Sequence, residues 1–294
     1  MLYVCATPIG NLEDVTLRVL DVLGRAEVVL CEDTRHTRRL LDRHGLHPPR
    51  LLSFHEHNES GRLDEALARV RAGGDVAVVS DAGMPGVSDP GYVLVRACVA
   101  EGLPFTVLPG PSAVPTALLL SGFPTDRFTS VGFLPRGGQR VTAALEMVGA
   151  TGGSIVAFES PKRVRATLEA VAAHWPDRKV AVCRELTKVH EEVLRGTAQE
   201  VLAVLAAEPK GEIVLVLAPE AQASPVASGE VEEALKVLLA HGLGTKEAAG
   251  IVATLTGLSS RDAYRAALDV RARAGSPPEA DGADTGPARG SLLE

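Results

Sequence analysis

Residues able to bind or catalyse are concentrated in a few Gly- and Pro-rich segments. The densest is Ser80-Asp81-Ala82-Gly83-Met84-Pro85-Gly86-Val87-Ser88-Asp89-Pro90-Gly91, which holds three Gly, two Pro and two Asp. Such a loop buries little apolar surface, so ligand binding accounts for it better than packing does. Gly permits positive φ and a close approach of backbone to ligand. The two carboxylates disfavour a phosphate and suit a cation, an amino group or a ribose diol. S-adenosylmethionine carries all three, as sulfonium, ammonium and ribose. A second segment, Thr7-Pro8-Ile9-Gly10-Asn11-Leu12-Glu13-Asp14, has one Gly where a dinucleotide fingerprint needs GxGxxG. No GK[ST] occurs in the chain either, which excludes a P-loop. A plain strand-to-helix turn capped by Asp14 or Thr16 is the competing reading of that loop. A third, Leu108-Pro109-Gly110-Pro111-Ser112-Ala113, precedes a helix, where free N–H groups and the Ser hydroxyl suit a carboxylate. It reads equally well as a hinge ending in an N-cap.

Charged chemistry is densest in Arg184-Glu185-Leu186-Thr187-Lys188-Val189-His190-Glu191. Arg184 and Lys188 suit a phosphate or a hydroxyl whose pKa must fall, and Glu185 suits the proton it releases. A solvated turn held by internal ion pairs is the alternative. In Phe54-His55-Glu56-His57-Asn58-Glu59 the two His alternate as on a strand end and face opposite sides. No HExxH is present, so no metal enters this reading.

These loops need a scaffold, and the apolar pattern supplies one. Short apolar runs at Leu2–Ala6, Glu27–Cys31, Leu51–Phe54, Asp75–Ser80 and Pro104–Leu108 predict strands. They alternate with predicted helices at Thr16–Leu23, Thr34–His44, Arg62–Ala72 and Tyr92–Glu101. That order predicts a mostly parallel sheet covered on both faces. Beyond a hinge near residues 109–112 the expected helices are Ser112–Ser121, Arg140–Val148, Arg163–His174 and Ala198–Ala206. The expected strands are Phe128–Leu134, Ser154–Glu159, Lys179–Arg184, Glu192–Gly196 and Glu212–Leu217, a second α/β domain with partly antiparallel pairing. The domains read as 1–110 and 111–220. A small-residue linker over 219–229 leads to helices at Val231–His241, Thr245–Leu255 and Ser259–Arg273, a helix-turn-helix-like module over 228–274. Residues 275–294 read as a disordered tail.

The chain has 294 residues, 46% of them hydrophobic, and a formal charge of −7. That charge argues against nucleic-acid binding through overall basicity, yet a local patch remains open. Arg38 and Arg39 with Arg35 and His36 on one predicted helix form such a patch, and Lys162 with Arg163 form another. Absence of an 18-residue apolar run excludes a transmembrane helix, and Met1–Cys5 lacks a basic leader. Cys5, Cys31, Cys98 and Cys183 lie far apart with no CxxC, which reads as reduced cytosolic thiols packed as apolar groups.

Taken together, TPIGNLED, CEDTRHTRRLL, SFHEHNE, VSDAGMPGVSDPG, LPGPSAVPTALLLSG, FESPKR and CRELTKVHEE resemble the ribosomal RNA small subunit methyltransferase I family. That family lies within the tetrapyrrole methylase superfamily. The resemblance spans about residues 1–218, and the last helices resemble the family's helix-turn-helix. It implies two α/β domains of the class III methyltransferase type with S-adenosylmethionine in the cleft between them. It implies transfer of methyl to the ribose 2′-oxygen of a cytidine in the decoding region of 16S rRNA, and a cytoplasmic homodimer. Carried over by position, Pro8 and Gly10 would line the cofactor cleft. Asp81, Gly83, Met84 and Val87 would form its glycine-rich wall, with Asp81 a polar contact and Met84 standing where the family pattern has Thr. Ser112 and Ala113 would lie near the methionine or ribose, and Phe158 with the strand Glu212–Leu217 around the adenine. Arg184, Glu185 and Lys188 would serve the reaction. Arg35, His36, Arg38, Arg39, Lys162 and Arg163 would touch RNA. A tetrapyrrole or protein-residue methylase of the same fold, or a non-catalytic S-adenosylmethionine and RNA binder, are the rival readings.

Overall fold

A computed structural model describes residues 1–55, 58–86, 91–149, 152–219, 228–258 and 260–274. Five strands, β1 (Leu2–Cys5), β2 (Val28–Cys31), β3 (Leu51–Ser53), β4 (Val76–Val79) and β5 (Phe105–Leu108), form the first sheet. Their order is β3-β2-β4-β1-β5, and every pairing is parallel. Four helices cover it: α1 (Leu17–Arg25), α2 (Thr34–Arg43), α3 (Glu59–Arg71) and α4 (Tyr92–Glu101). Every residue of β2 and β4 is buried, because alternate side chains feed two cores. Val28, Leu30, Val76 and Val78 pack with Leu67, Val70 and Leu94 on one face. Val29, Cys31, Ala77 and Val79 pack with Val22, Leu23, Leu40 and Leu41 on the other.

The second sheet joins β6 (Phe128–Phe133), β7 (Ser154–Glu159), β8 (Lys179–Arg184), β9 (Glu192–Thr197) and β10 (Ile213–Leu217) in the order β6-β7-β10-β8-β9. Only the β6–β7 pair is parallel. Helices α5 (Ala113–Ser121), α6 (Gly138–Gly149), α7 (Val164–His174) and α8 (Ala198–Val204) flank it. One face of this sheet packs under α6, α7 and α8 through Leu145, Leu168, Val171 and Val201. The opposite face packs against α5 through Val114, Ala117 and Leu118, and Ile9 from the loop after β1 joins that core. The chain thus changes sheets between Leu108 and Ala113, and both sheets belong to one compact unit, Met1–Glu220.

The second unit, Ala221–Glu294, contains α9 (Ser228–Ala240), α10 (Thr245–Thr256) and α11 (Ser260–Ala274). Leu235, Ala248, Ala249, Val252, Ala263 and Ala267 form its core. Gly257 closes α10 in the left-handed region at φ +73°, which Gly enters without a Cβ penalty. The Arg271 guanidinium donates to Thr245 Oγ1 at 2.8 Å. Among the described residues no helix is long and apolar enough to cross a membrane.

Some boundaries differ from the sequence pattern. Helix α3 begins at Glu59 rather than Arg62, and α9 begins at Ser228, inside the expected linker. Periodicity finds the apolar face, and neither polar first turn contributes to it. Strand β10 starts at Ile213, one residue after Glu212. Ser112 holds the N-cap position of α5 but makes no side-chain cap bond. Its carbonyl instead accepts from Thr116 Oγ1 at 2.7 Å. Thr16, not Asp14, caps α1 by accepting from Val19 N at 3.2 Å. The expected cap Ser259 and the expected tail 275–294 lie outside the described residues.

All four cysteines are free and buried. Burial pushes the thiols of Cys5 and Cys183 up to about 12 and that of Cys31 to about 11. An unfolded thiol ionises near about 8.5. Below that value the thiols are neutral in both states; above it the unfolded chain loses protons that the folded chain keeps. Stability therefore falls as pH rises from about 8.5 toward 12. Ellman titration at pH 8 should find no fast thiol in the native protein and four after guanidinium unfolding. Rapid native reaction of any of them would contradict the packing described.

Candidate functional site

The loops after β1 and β4 leave neighbouring strands at their carboxyl ends, the usual ligand position in an open α/β sheet. Thr7 N donates to Gly83 O at 2.8 Å and Gly83 N donates back to Thr7 O at 3.0 Å. Thr7 Oγ1 donates to Ser80 O at 3.0 Å. Gly83 has φ +78°, so the exchange needs a residue without a Cβ.

A cavity of about 670 Å³ opens beside this bridge, a volume typical of small-molecule sites. Ile9, Gly83 and Met84 come to it from the first sheet's loops, and Ser112 and Ala113 from the start of α5. Phe133, Phe158, Ser160 and Pro161 form the side supplied by β6 and β7, and Leu186, Gly211, Glu212 and Val214 the side toward β8 and β10. The walls are mostly apolar, with a few hydroxyls and two carboxylates. The rings of Phe133 and Phe158 stand 5.5 Å apart, and Phe133 is 64% exposed, so it forms part of the rim.

Of those carboxylates, Glu159 is fully engaged. Its Oε1 accepts from Ser160 N at 2.6 Å and pairs with Arg163 at 2.6 Å, and its Oε2 accepts from Thr167 Oγ1 at 2.6 Å. Arg163 also donates to Leu134 O at 3.1 Å. This clamp fixes the Ser160–Pro161 turn at the start of α7. A buried charge held by several bonds is costly to break.

The segment after β8 is backbone-strained. Glu185 and Thr187 have φ +52° and +65°, the positive values found outside Gly among the described residues. Such conformations cost on the order of 1–3 kcal/mol each and gather at functional loops. Glu185 Oε1 accepts from Glu212 N at 2.9 Å and from Lys188 Nζ at 2.9 Å. Lys188 Nζ also donates to Glu212 Oε2 at 2.6 Å. Burial pushes the Glu185 carboxyl up, but the bonds from Lys188 and the Glu212 amide outweigh it and hold it below its ordinary value. Burial likewise lowers Lys188, and its two carboxylate partners more than offset that. Arg184 pairs with Glu192 at 3.0 Å and donates to Lys210 O at 3.3 Å.

Two glycines make this arrangement possible. A Cβ on Gly10 would lie 2.6 Å from Lys188 Cγ and Thr187 Oγ1 and 2.7 Å from Leu186 O. Beside it, Asn11 N donates to Thr187 Oγ1 at 2.9 Å. A Cβ on Gly211 would lie 2.3 Å from Glu185 Oε1.

The site residues expected from the sequence therefore separate. Gly83, Met84, Ser112, Ala113 and Phe158 line the large cavity together. Pro8 and Asp81 do not; they line a second space of about 10 Å³, with His36 and Thr37, room for about one water. Asp81 Oδ1 accepts from Asp33 N at 3.0 Å, tying its loop to the start of α2. Gly10 packs on residues 186–188 rather than on the cavity. Val87 and His57 lie outside the described residues, and His55 N donates to Asn58 Oδ1 at 2.9 Å. Arg184, Glu185 and Lys188 stand behind the cavity wall as an ion-pair network, while their neighbours Leu186 and Glu212 face it. On α2, Arg35, His36, Arg38 and Arg39 are exposed. Arg35 pairs with the N-cap Asp33 at 2.9 Å and holds that carboxyl down at about 2. Lys162 is exposed, whereas Arg163 is committed to Glu159.

Sequence reasoning did not single out Ile9, Phe133, Leu186 or Gly211, and it placed Glu212 only as the first residue of the strand expected around the adenine. A signal exists for the last two: Pro209-Lys210-Gly211-Glu212 stands directly before a fully apolar strand, at a strand mouth.

Comparison with known proteins now decides the family. Residues 1–202 match the tetrapyrrole (corrin/porphyrin) methylases, and residues 225–271 match the RsmI C-terminal HTH domain. The ribosomal RNA small subunit methyltransferase I of Mesorhizobium japonicum is 42% identical over 285 residues, covering 96% of this chain and 95% of that protein. The protein of the same name from Thermotoga maritima is 45% identical over 217 residues, 74% of this chain and 97% of that one. The chain belongs to the ribosomal RNA small subunit methyltransferase I family. Solved structures confirm the methylase fold. Diphthine synthase aligns with TM-score 0.58 at 15% identity, covering 74% of this chain and 89% of that one. The methyltransferase CobJ aligns at 0.57 and 20%, covering 75% and 94%. Uroporphyrin-III C-methyl transferase from Thermus thermophilus, complexed with S-adenyl homocysteine, aligns at 0.52 and 20%, covering 74% and 96%. Within this family fold, the cavity lies where the loops of the first sheet meet the second.

Two substitutions test the packing. Gly10→Ala should destabilise the protein by about 1–3 kcal/mol through overpacking. Gly61→Ala, in α3 with nothing within 4 Å, should be neutral or stabilising by up to about 1 kcal/mol. Equal urea midpoint shifts in the two variants would refute the close approach of Gly10. Glu185→Gln should lower stability at pH 7, because a depressed carboxyl stabilises the fold above its unfolded value near about 4.3. The gap to the parent should narrow as pH falls through that region, and a pH-independent gap would remove the ion pair from the account.

Proposed function

We propose that this chain transfers a methyl group from S-adenosylmethionine to the ribose 2′-hydroxyl of a cytidine in the decoding region of 16S rRNA. The observation that carries the reading is an apolar cavity lined by Gly83, Met84, Ser112, Ala113 and Phe158, in a chain of the small-subunit rRNA methyltransferase I family. These residues suit the cofactor chemically. Met84, Val114, Phe158 and Val214 offer apolar surface for a base, and the backbone near Gly83 and the Ser112 hydroxyl offer polar contacts. When bound, the cofactor supplies a methyl group on a sulfonium, a good leaving group.

The chain's own part is then mainly orientation. Holding an acceptor hydroxyl in line with the methyl carbon contributes much of the rate. The clamp of Glu159 on Ser160 and Arg163, and the network of Glu185 with Lys188, keep the cavity walls from relaxing. Apolar walls exclude water that would compete as nucleophile. Arg38 and Arg39, exposed and without ion-pair partners among the described residues, are the guanidiniums available for phosphates, with Arg35, His36 and Lys162 beside them in role. Arg163 serves the cavity wall instead. A ribose in paired RNA is hard to reach, so the target nucleotide is unstacked or single-stranded when it enters. The resemblance also supports a homodimer and a cytoplasmic setting.

The decisive assay offers labelled S-adenosylmethionine to unmethylated small subunits, free rRNA and a tetrapyrrole mixture, with nuclease mapping of the product. Label should appear as 2′-O-methylcytidine in RNA. Label on a tetrapyrrole, or tight cofactor binding with no transfer, would move the assignment to the other readings. Arg38→Ala with Arg39→Ala should weaken RNA binding and flatten its salt dependence, by about one to two in slope, and leave cofactor affinity unchanged. Equal loss of cofactor in that double variant would overturn the division between cavity and helix.

A further inference from the structure

We infer that Glu212 accepts the proton of the nucleophilic hydroxyl; the inference rests on the methyl-transfer reading above. Two carboxylates line the cavity among the described residues, Glu159 and Glu212. Glu159 is 3% exposed and both its oxygens are occupied, by Ser160 N and Arg163 on one and Thr167 on the other. Glu185 does not line the cavity, and its Oε1 is shared between Lys188 and the Glu212 amide. Glu212 differs from both. Its Oε2 is pinned by Lys188 at 2.6 Å, and its Oε1 has no hydrogen-bond partner among the described residues. The side chain is 70% exposed at the cavity mouth, where a large acceptor must approach.

The Lys188 ammonium is placed to tolerate the charge change. It lies between Glu185 at 2.9 Å and Glu212 at 2.6 Å. When Glu212 takes up a proton, Lys188 keeps Glu185 as counter-ion, so no charge is stranded. Lys188 itself is held above its ordinary pKa and cannot serve as the base. Other charged groups near the pair include Arg184 on β8, paired with Glu192 on β9, Glu191, which closes the turn on Thr187 N, Lys210, and the Glu159–Arg163 pair from β7 and the N-cap of α7.

In the step itself, the hydroxyl oxygen forms a bond to the methyl carbon while the methyl–sulfur bond breaks. The sulfur keeps that electron pair and leaves as a neutral thioether. The hydroxyl proton passes to Glu212 Oε1, and solvent removes it afterwards from the exposed mouth.

Glu212→Gln keeps the shape and the acceptor oxygen for Lys188 and removes the basic charge. Three readouts are needed: the single-turnover transfer rate to small subunits, the S-adenosylmethionine Kd by calorimetry, and the thermal midpoint. The rate should fall by about 10²–10⁴-fold, the range for a lost general base, with Kd and midpoint near the parent values. In Glu212→Ala, added formate should restore part of the rate. A parent-like rate in Glu212→Gln would overturn the inference, as would a loss confined to Kd or to the thermal midpoint. Absence of transfer to RNA by the parent protein would instead refute the methyl-transfer reading, so the two failures are distinct.

Discussion

The backbone of Glu185–Lys188 is the constraint on which the site depends. Two non-Gly residues there hold positive φ, a conformation that needs compensation from its surroundings. Compensation comes from three sides. Gly10 lets the loop after β1 approach to where no Cβ fits, and the Asn11 amide bonds Thr187. Gly211 leaves room for the Glu185 carboxylate, which then ties the Glu212 amide and Lys188 together. Thr187 N donates to Glu191 at 2.7 Å and closes the turn. The outcome is that Leu186 and Glu212 are presented to the cavity while the charges beside them are spent on one another.

The rest of the molecule can be understood as support for that contact. The first sheet is parallel and buried on both faces, so its loops emerge from a rigid base. The exchange between Thr7 and Gly83 joins the two loops that reach the cavity. Helix α5 follows β5 directly yet packs on the second sheet, with Ile9 from the first sheet's loop in the same apolar cluster. That cluster is non-directional in energy but specific in shape, and it brings Ser112 and Ala113 opposite Phe158.

How much of this was legible in the chain differs by level. Strands β2 and β4 are continuous apolar runs because both faces are buried, and the pattern reads directly. Polar first turns were less legible: Glu59 and Ser228 begin helices whose apolar periodicity starts later. Of the residues expected at the site, Gly83, Met84, Ser112, Ala113 and Phe158 line the cavity, as their motif and strand-end positions allow. Asp81 lies beside the second space instead, because a carboxylate in a Gly-rich loop can face either way, and here it takes the Asp33 amide. Arg163 looked free in sequence but answers a buried Glu159 four residues before it.

The sequence alone determined the element order, the two kinds of sheet, the helical unit and the family, since these depend on local periodicity and on strings of residues. It also located the loops at strand ends. Only the tertiary structure decided which side chains face the cavity and which face each other. That choice turns on contacts such as Gly10 against Leu186, Gly211 against Glu185 and Lys188 between two carboxylates. The partners are separated by between three and 176 positions, and which of them meet is set by packing and by the pairing of charge. No local pattern encodes that pairing.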